Sequence, residues 1–86
     1  MNIRSPNLMD QQLGANVRAI RREIGMTQPE LAALLNLSNQ QIDKYERGRN
    51  RIAAVRLLVI AAAFGRPVMD FFEGVEISSA PRDESR

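Results

Sequence analysis

The apolar residues of this chain recur mainly three or four positions apart, the spacing of a helix with one buried face. The first such series consists of Leu13, Val17, Ile20 and Ile24. It predicts a helix that begins at Asp10 and is closed by Gly25, because glycine readily adopts the left-handed conformation at a helix end. Residues 1–8 show no such periodicity and are predicted to form a flexible leader.

Two short helices are predicted to follow, each opened by a capping box in which Ser or Thr precedes Glu or Gln by three positions. The pairs are Thr27 with Glu30 and Ser38 with Gln41. Asn36 is expected to end the first of these helices, since Asn tolerates a positive φ, and Gly48 the second. The side chains expected to face inward are Leu31, Ala32, Leu34, Leu35, Leu37, Ile42 and Tyr45.

The C-terminal half predicts two more helices. A fourth runs from about Ala54 to Phe64 and is closed by Gly65, and a short fifth runs from Val68 to Glu73. No run alternates strictly enough to predict a strand, so the fold class is all-α, a compact five-helix domain over residues 9–74. Residues 75–86 are rich in serine and mixed charge and are predicted to be a flexible tail.

Composition removes several classes of function. The 86 residues suffice for one domain, and there is neither cysteine nor histidine. Thiolate metal sites and the commonest general base are therefore excluded, and we expect no metal, no cofactor and no enzyme. The longest apolar stretch, 52–64, is interrupted by Arg56 and is shorter than the ~20 residues that cross a bilayer. We expect no membrane partner and a cytoplasmic, nucleoid-associated protein.

Charge points to a polyanionic partner. The formal net charge is only +2, but residues 44–56 hold five basic residues and one acid, whereas residues 70–86 hold five acids and two arginines. A basic middle and an acidic end are typical of one face that binds a polyanion. A solvated surface of mixed charge is the alternative.

Residues 28–47 have the layout of a helix-turn-helix motif: about eight helical residues, a three-residue turn and a second helix of about nine. Ala32 falls where the second helix crosses closely, and Asn36 falls at the sharp turn. Two helices of an ordinary bundle could imitate this pattern.

The sequence resembles the Cro/C1-type, or XRE-family, helix-turn-helix domain over residues 13–73. The segments that carry the resemblance are GMTQPELA at 25–32, YERGRNRI at 45–52 and AAAFG at 61–65, and the form is closest to short SinR-like regulators. The resemblance implies a lambda-repressor-like fold that binds operator DNA as a homodimer. Ala53 departs from the family, where a serine often caps the fourth helix.

By motif position, the family's base-reading residues correspond to Asn39, Gln40 and Lys44, and Asp43 is a further outward candidate. Asn and Gln can form two hydrogen bonds with adenine, and Lys can donate to guanine. The alternative is a polar helix face that contacts only solvent. Phosphate contacts are expected around this helix, from Arg21, Thr27, Gln28, Ser38, Arg47, Arg49, Asn50 and Arg51. The family also implies a partly buried ion pair between Arg21 and Glu46.

A homodimer is expected to form through the C-terminal helices. If the side chains of Leu57, Ile60, Ala61 and Phe64 fill the monomer core, a self-complementary patch is left over. Its predicted members are Ile52, Val55, Val68 and Phe71. The alternative for Phe71 is that it closes the core under the fifth helix.

The predicted function is sequence-specific transcriptional regulation, with the chain acting as a repressor on a palindromic operator in the major groove of double-stranded DNA. No small-molecule ligand is evident. The alternative is an antitoxin-like or adaptor protein whose main partner is another protein. Residues 75–86 offer only Val75 and Ile77 as apolar anchors, which favours the regulator.

Overall fold

The structure, a computed structural model, describes residues 6–76, with side chains from residue 8 onward. Its elements are α1 (Pro6–Glu23), α2 (Gln28–Leu35), α3 (Asn39–Glu46), α4 (Ala54–Phe64) and a 3₁₀ helix (Val68–Phe72). Over residues 6–76 there is no strand, so the predicted all-α class is confirmed.

The expected fifth α-helix is wrong in type, because the segment is a single 3₁₀ helix and the described chain has four α-helices. The Asp70 N–H donates to the Pro67 carbonyl at 3.0 Å, which is the i to i+3 pattern of this tighter helix. Only five residues lie between Pro67 and Glu73, too few for a stable α-helix.

The first helix begins four residues earlier than predicted, at Pro6 instead of Asp10. Proline suits the first turn of a helix because its missing N–H would have no partner there. The leader predicted over residues 1–8 is therefore wrong for residues 6–8, while 1–5 lie outside the described residues. At the other end Val75 is half-buried, and 77–86 also lie outside the described part of the chain.

The predicted helix boundaries in the centre of the chain are confirmed. Thr27 Oγ1 accepts the Glu30 N–H at 3.2 Å, and Glu30 Oε1 accepts the Thr27 N–H at 2.8 Å, which completes the capping box. Asn36 has a φ of 56° and ends α2 in the left-handed region. Ala53 is the N-cap of α4 and forms no side-chain hydrogen bond there, because alanine has no polar side-chain atom.

The core lies where the four α-helices and the 3₁₀ helix meet. Its buried members are Val17, Ile20, Leu31, Ala32, Leu35, Ile42, Ile52, Leu57, Ile60, Ala61, Phe64 and Phe71. Two predicted members are wrong: Leu34 is 59% exposed and Ile24 is 39% exposed. Leu34 lies on the solvent side of α2, and Ile24 lies beyond the last residue of α1.

Close backbone packing positions α1 across the C-terminal end of α3. A Cβ on Gly14 would lie 2.1 Å from the Tyr45 carbonyl oxygen and 2.8 Å from that of Glu46. A Cβ on Gly48 would lie 2.5 Å from Cα of Gln11. Both contacts are shorter than any van der Waals separation, so only glycine allows α3 to lie this close to α1.

A side chain of α1 also holds the C-terminal segment. Asn16 Nδ2 donates to the carbonyl oxygens of Phe71 at 2.8 Å and of Glu73 at 2.7 Å, and Asn16 Oδ1 accepts from Gln12 at 3.1 Å. Because these carbonyls end the 3₁₀ helix, Asn16 fixes the position at which that helix covers the core.

Candidate nucleic-acid interface

The outward face of α3 carries the predicted base-reading residues. Asn39, Gln40 and Lys44 are all exposed. They line one cleft of about 370 Å³, whose remaining lining residues are Gln28, Asp43 and Arg49. Ser38 Oγ accepts the Gln41 N–H at 3.0 Å and so fixes the start of this helix. The structure therefore brings the three side chains together on one open surface.

A buried ion pair connects α1 with α3. Arg21 Nε lies 2.6 Å from Glu46 Oε2, and Arg21 Nη2 lies 3.1 Å from Oε1, which is a two-point contact. A third donor, Arg21 Nη1, bonds the Met26 carbonyl at 2.7 Å. The ion pair implied by the family resemblance is present. Arg21 is 7% exposed and three of its five N–H groups are bound by protein partners, so its first role is this ion pair. Its phosphate contact stays a prediction.

A hydrogen-bond network continues from this ion pair across the start of α2. Gln28 Nε2 donates to Glu46 Oε1 at 3.0 Å and to Asp43 Oδ1 at 3.3 Å. Asp43 Oδ2 in turn accepts from Arg47 Nε at 2.8 Å. The side-chain amide of Gln28 therefore donates both hydrogens within the protein. The predicted phosphate contact depends on the free backbone N–H groups at the start of α2 and stays a prediction.

Asp43 is likewise engaged within the protein. The hydrogen bond from Gln28, together with the charges of Arg47 and Arg49, lowers the pKa of the Asp43 carboxyl below its ordinary value. The carboxylate is therefore ionised at neutral pH and acts only as an acceptor. Each oxygen accepts one hydrogen bond, so Asp43 holds Gln28 and Arg47 in place, and its side chain is still 42% exposed beside the other α3 candidates. Its base contact stays a prediction.

Thr27 and Ser38, the N-caps of α2 and α3, each have a hydroxyl hydrogen that can be donated to a ligand. The hydroxyl oxygens of Thr27 and Ser38 accept backbone N–H groups, so their own hydrogens still point elsewhere. Both residues are exposed at the starts of α2 and α3. The predicted phosphate contacts of Thr27 and Ser38 therefore remain compatible with the capping geometry.

The arginines of the basic loop after α3 have different surroundings. Arg49 and Asn50 are exposed, and Arg49 lines the same cleft as Gln40 and Lys44. Arg51 instead pairs with Asp10 of α1 at 3.2 Å. Its side chain is 64% exposed, nearly the same as the 63% of Arg47, which pairs with Asp43, so the phosphate contacts of both arginines stay predictions. Arg51 also borders an apolar groove that is lined by Met9, Leu13, Ile52, Phe72 and Val75.

Most of the predicted dimer patch is buried in the monomer, so this prediction is wrong for most of its residues. Phe71 is 0% exposed and packs on Phe64 with ring centroids 5.8 Å apart, and Ile52 is 7% exposed. Val68 is half-buried against the core, so of the four only Val55 is freely exposed, at 73%. The alternative that Phe71 closes the core is the one the structure bears out.

Another apolar stripe runs along the solvent side of α4. Its members Val55, Leu58, Val59 and Ala62 are spaced by three, one and three positions and are all exposed. They lie on the side of α4 away from its buried series, Leu57, Ile60, Ala61 and Phe64. We refer to Val55, Leu58, Val59 and Ala62 as the α4 stripe.

Sequence reasoning missed two exposed arginines of α1, Arg18 and Arg22. They flank Arg21 along the helix and line a cleft with the start of α2 and the end of α3. The apolar spacing of α1 shows only that they lie away from its buried face. Their position beside α3 becomes clear from the structure, in which their neighbour Arg21 is buried against Glu46.

Other site types find no support in the described residues. No helix within residues 6–76 is long and apolar enough to cross a membrane. Over the same range, no three acidic side chains are grouped in a way that could hold a metal ion.

Comparison with known proteins assigns the family. The helix-turn-helix family model matches residues 17–71. A protein of Sinorhizobium medicae (strain WSM419), named as an HTH-type transcriptional regulator, is 42% identical over 72 residues, which are 84% of this chain and 52% of that protein. The chain belongs to the XRE-type helix-turn-helix family. It spans between 52% and 59% of the length of this and two other curated relatives that it matches.

Solved structures of regulators share the fold. The clp gene regulator ClgR from Corynebacterium glutamicum superimposes with a TM-score of 0.74 and 30% identity, over 86% of this chain and 96% of that one. The restriction-modification controller protein C.AhdI from Aeromonas hydrophila gives 0.67 and 27%, over 72% and 94%. The compact helix-turn-helix fold is thus common to this chain and these regulators.

Proposed function

We propose that this chain is a sequence-specific DNA-binding transcriptional regulator that inserts α3 into the major groove. The observation that carries the proposal is the common exposure of Asn39, Gln40 and Lys44 along a helix that a buried ion pair holds in place. A rigid helix with polar side chains at its N-terminal end is the element that reads base edges in helix-turn-helix proteins. The names of the relatives point the same way.

Base recognition follows from the side-chain chemistry of α3. The amides of Asn39 and Gln40 each present one donor and one acceptor, which match N7 and N6 of adenine. The Lys44 ammonium donates to O6 and N7 of guanine. Asp43 acts as a positioning residue, because its carboxylate orients Gln28 and Arg47.

Phosphate contacts supply register and most of the affinity that does not depend on sequence. Arg47, Arg49 and Asn50 are exposed at the end of α3 and in the loop that follows. The hydroxyl hydrogens of Thr27 and Ser38 add donors at the starts of α2 and α3. These groups surround the base-reading residues, which is the arrangement that holds a recognition helix in its groove.

We further propose that two copies bind a palindromic operator and repress by covering the promoter. One recognition helix reads one half-site, and a two-fold axis presents a second half-site about one helical turn away. The α4 stripe is the self-complementary apolar surface that an isologous dimer needs. It replaces the buried Phe71 and Ile52 as the dimer face.

The experiment selects a binding site from random duplexes with the wild-type chain and then measures affinity for that site and for scrambled DNA. Gln40→Ala and Lys44→Ala should each lose roughly 1–3 kcal/mol of discrimination at defined base pairs. Arg49→Ala should weaken binding to all sequences alike and lower the salt slope by about one.

Gln12→Ala is the matched control, because within residues 8–76 this α1 glutamine hydrogen-bonds only Asn16, and it lies outside the α3 cleft. Unchanged discrimination in both α3 variants would show that α3 is not the reading helix. Repression is tested separately, by transcription in vitro from a promoter that overlaps the selected site. Transcription that rises or stays constant as protein is added would contradict repression while leaving DNA recognition intact.

A further inference from the structure

Three arginines share the side of α1 that faces α3: Arg18, Arg21 and Arg22. Arg21 is buried and paired with Glu46, and this contact fixes the rotation of the helix about its own axis. Arg18 and Arg22 are therefore held on either side of the contact with α3, and both are exposed. No carboxylate among residues 8–76 lies within 4 Å of either guanidinium, in contrast to Arg47, Arg51 and Arg66.

These arginines line a cleft of about 530 Å³ between the end of α1, the start of α2 and the end of α3. Four guanidiniums and two carboxylates border it: Arg18, Arg21, Arg22, Arg47, Asp43 and Glu46. Both carboxylates already have guanidinium or amide partners, whereas two of the guanidiniums have no carboxylate partner. The cleft therefore carries an excess of positive charge that the protein itself does not neutralise.

The cleft is continuous with the proposed DNA surface. Gln28 and Asp43 line both this cleft and the one that holds Asn39, Gln40 and Lys44. Arg18 and Arg47 line both this cleft and a third one that reaches Arg49. A duplex that contacts α3 and Arg49 therefore has its backbone beside the guanidiniums of α1.

We propose that Arg18 and Arg22 bind phosphates of the DNA backbone, so that the DNA-binding surface extends from α3 onto α1. This inference rests on the proposed DNA-binding function. A guanidinium can form two parallel hydrogen bonds with a phosphate, and its charge does not titrate at physiological pH. Backbone contacts of this kind add affinity and register without adding base preference.

The test compares the wild-type chain with the double variant Arg18→Gln/Arg22→Gln on the selected duplex and on scrambled DNA across a salt series. Each lost phosphate contact lowers the slope of log affinity against log salt by ~0.9, so the double variant should lose about 1.8. The wild-type advantage in affinity should then shrink about tenfold between 50 and 200 mM salt. The affinity ratio between selected and scrambled DNA should stay unchanged.

Two further variants distinguish a charge at positions 18 and 22 from a change in the net charge of the protein. Arg18→Lys/Arg22→Lys keeps both charges and should retain most of the salt slope. Arg66→Gln removes one arginine charge at the Glu23 ion pair, outside the three clefts, and should leave the slope unchanged. A slope lowered about half as much by Arg66→Gln, which removes one charge instead of two, would mean that only net charge matters and would overturn the inference.

The remaining outcomes distinguish the two proposals. A wild-type chain that selects no sequence and binds no DNA would overturn both of them. Selective binding with an unchanged slope in the Arg18→Gln/Arg22→Gln variant would overturn only the contacts from α1. A titration with inorganic phosphate alone tests for a small-anion site. If the wild-type chain binds phosphate and the double variant does not, while both have the same salt slope for DNA, the backbone contact would also be overturned.

Discussion

At the scale of single residues, Gly14 decides how closely α1 and α3 can approach. Alanine in a helix normally stabilises it by ~1 kcal/mol relative to glycine. At position 14, however, the added Cβ would lie 2.1 Å from a backbone carbonyl oxygen of α3, which cannot rotate away. We expect Gly14→Ala to lower the free energy of unfolding by roughly 1–3 kcal/mol, measured by urea denaturation, as overpacked cores do.

Gly25→Ala is the matched control for this substitution. No atom lies within 4 Å of a Cβ built at Gly25, so only its φ of 78° opposes a side chain there. Gly25→Ala should cost ~1 kcal/mol through the left-handed backbone alone. A Gly14→Ala variant that is as stable as the wild type would show that α1 can shift away from α3 without loss.

A second residue-scale prediction concerns pH and Asp43. The pKa of the Asp43 carboxyl is lower in the folded protein than its ordinary value of 3.8. The ionised carboxylate therefore stabilises the fold above pH 3.8, and this stabilisation is lost as the pH falls through the pKa of the folded state. Asp43→Asn removes this contribution. The melting temperatures of the two proteins should therefore differ by a constant amount from pH 5 to 7 and should converge below pH 3.8. A difference that grows on acidification would contradict this sign.

The sequence predicts part of this residue-scale detail and misses the rest for a physical reason. The Thr27–Glu30 box is local, because its partners are three positions apart on one turn. The Arg21–Glu46 pair was implied by family resemblance alone. The Gln28–Asp43 bond spans 15 positions and depends on the angle between α2 and α3. No periodicity encodes that angle, so the sequence could not predict that Asp43 also holds Gln28 in place.

At the scale of elements, the 3₁₀ helix depends on one side chain of α1. Asn16 donates to the carbonyls of Phe71 and Glu73, and Phe71 is the residue that closes the core. Asn16→Ala should lower the free energy of unfolding by roughly 1–3 kcal/mol, because two carbonyls lose their donor. Hydrogen exchange should also accelerate at the amides of Asp70 and Val75, which bond within this segment.

Gln12→Ala provides the control for this tether. It removes the exposed bond to Asn16 Oδ1 but leaves both donations from Nδ2 in place. Exchange in the 3₁₀ helix should then remain at the wild-type rate. Equal acceleration in the two variants would mean that general destabilisation of α1, and not the tether, controls the segment.

Helix boundaries were the most predictable property of the elements. Each of the four α-helices ends one or two positions before a glycine or Asn36, since these residues occupy the left-handed region after a helix. The start of α1 and the type of the last helix were not predictable. Pro6 precedes Leu13, the first residue of the apolar series in α1, and periodicity cannot distinguish a five-residue 3₁₀ helix from a short α-helix.

At the scale of the whole molecule, apolar surface is divided between the core and one external stripe. Periodicity correctly assigned Leu57, Ile60 and Phe64 to the core, but it could not tell which remaining apolar residues stay outside. Phe71 was assigned to an interface because the residues of α4 were expected to fill the core by themselves, with closure of the core by Phe71 as the alternative. In three dimensions the tether from Asn16 brings it back under α1, and exposed apolar surface is left on α4 instead.

The α4 stripe leads to the last prediction, which concerns assembly. Leu58 is 56% exposed at its centre, so Leu58→Glu should fold normally and oppose the pairing of two stripes by charge repulsion and desolvation. The wild-type chain should bind a palindromic duplex as two copies, whereas Leu58→Glu should bind one half-site at a time, measured by sedimentation with and without DNA. Leu34→Glu is the control, because Leu34 is 59% exposed on α2 and should leave the assembled mass unchanged. Two bound copies of Leu58→Glu, with wild-type cooperativity, would rule out this face.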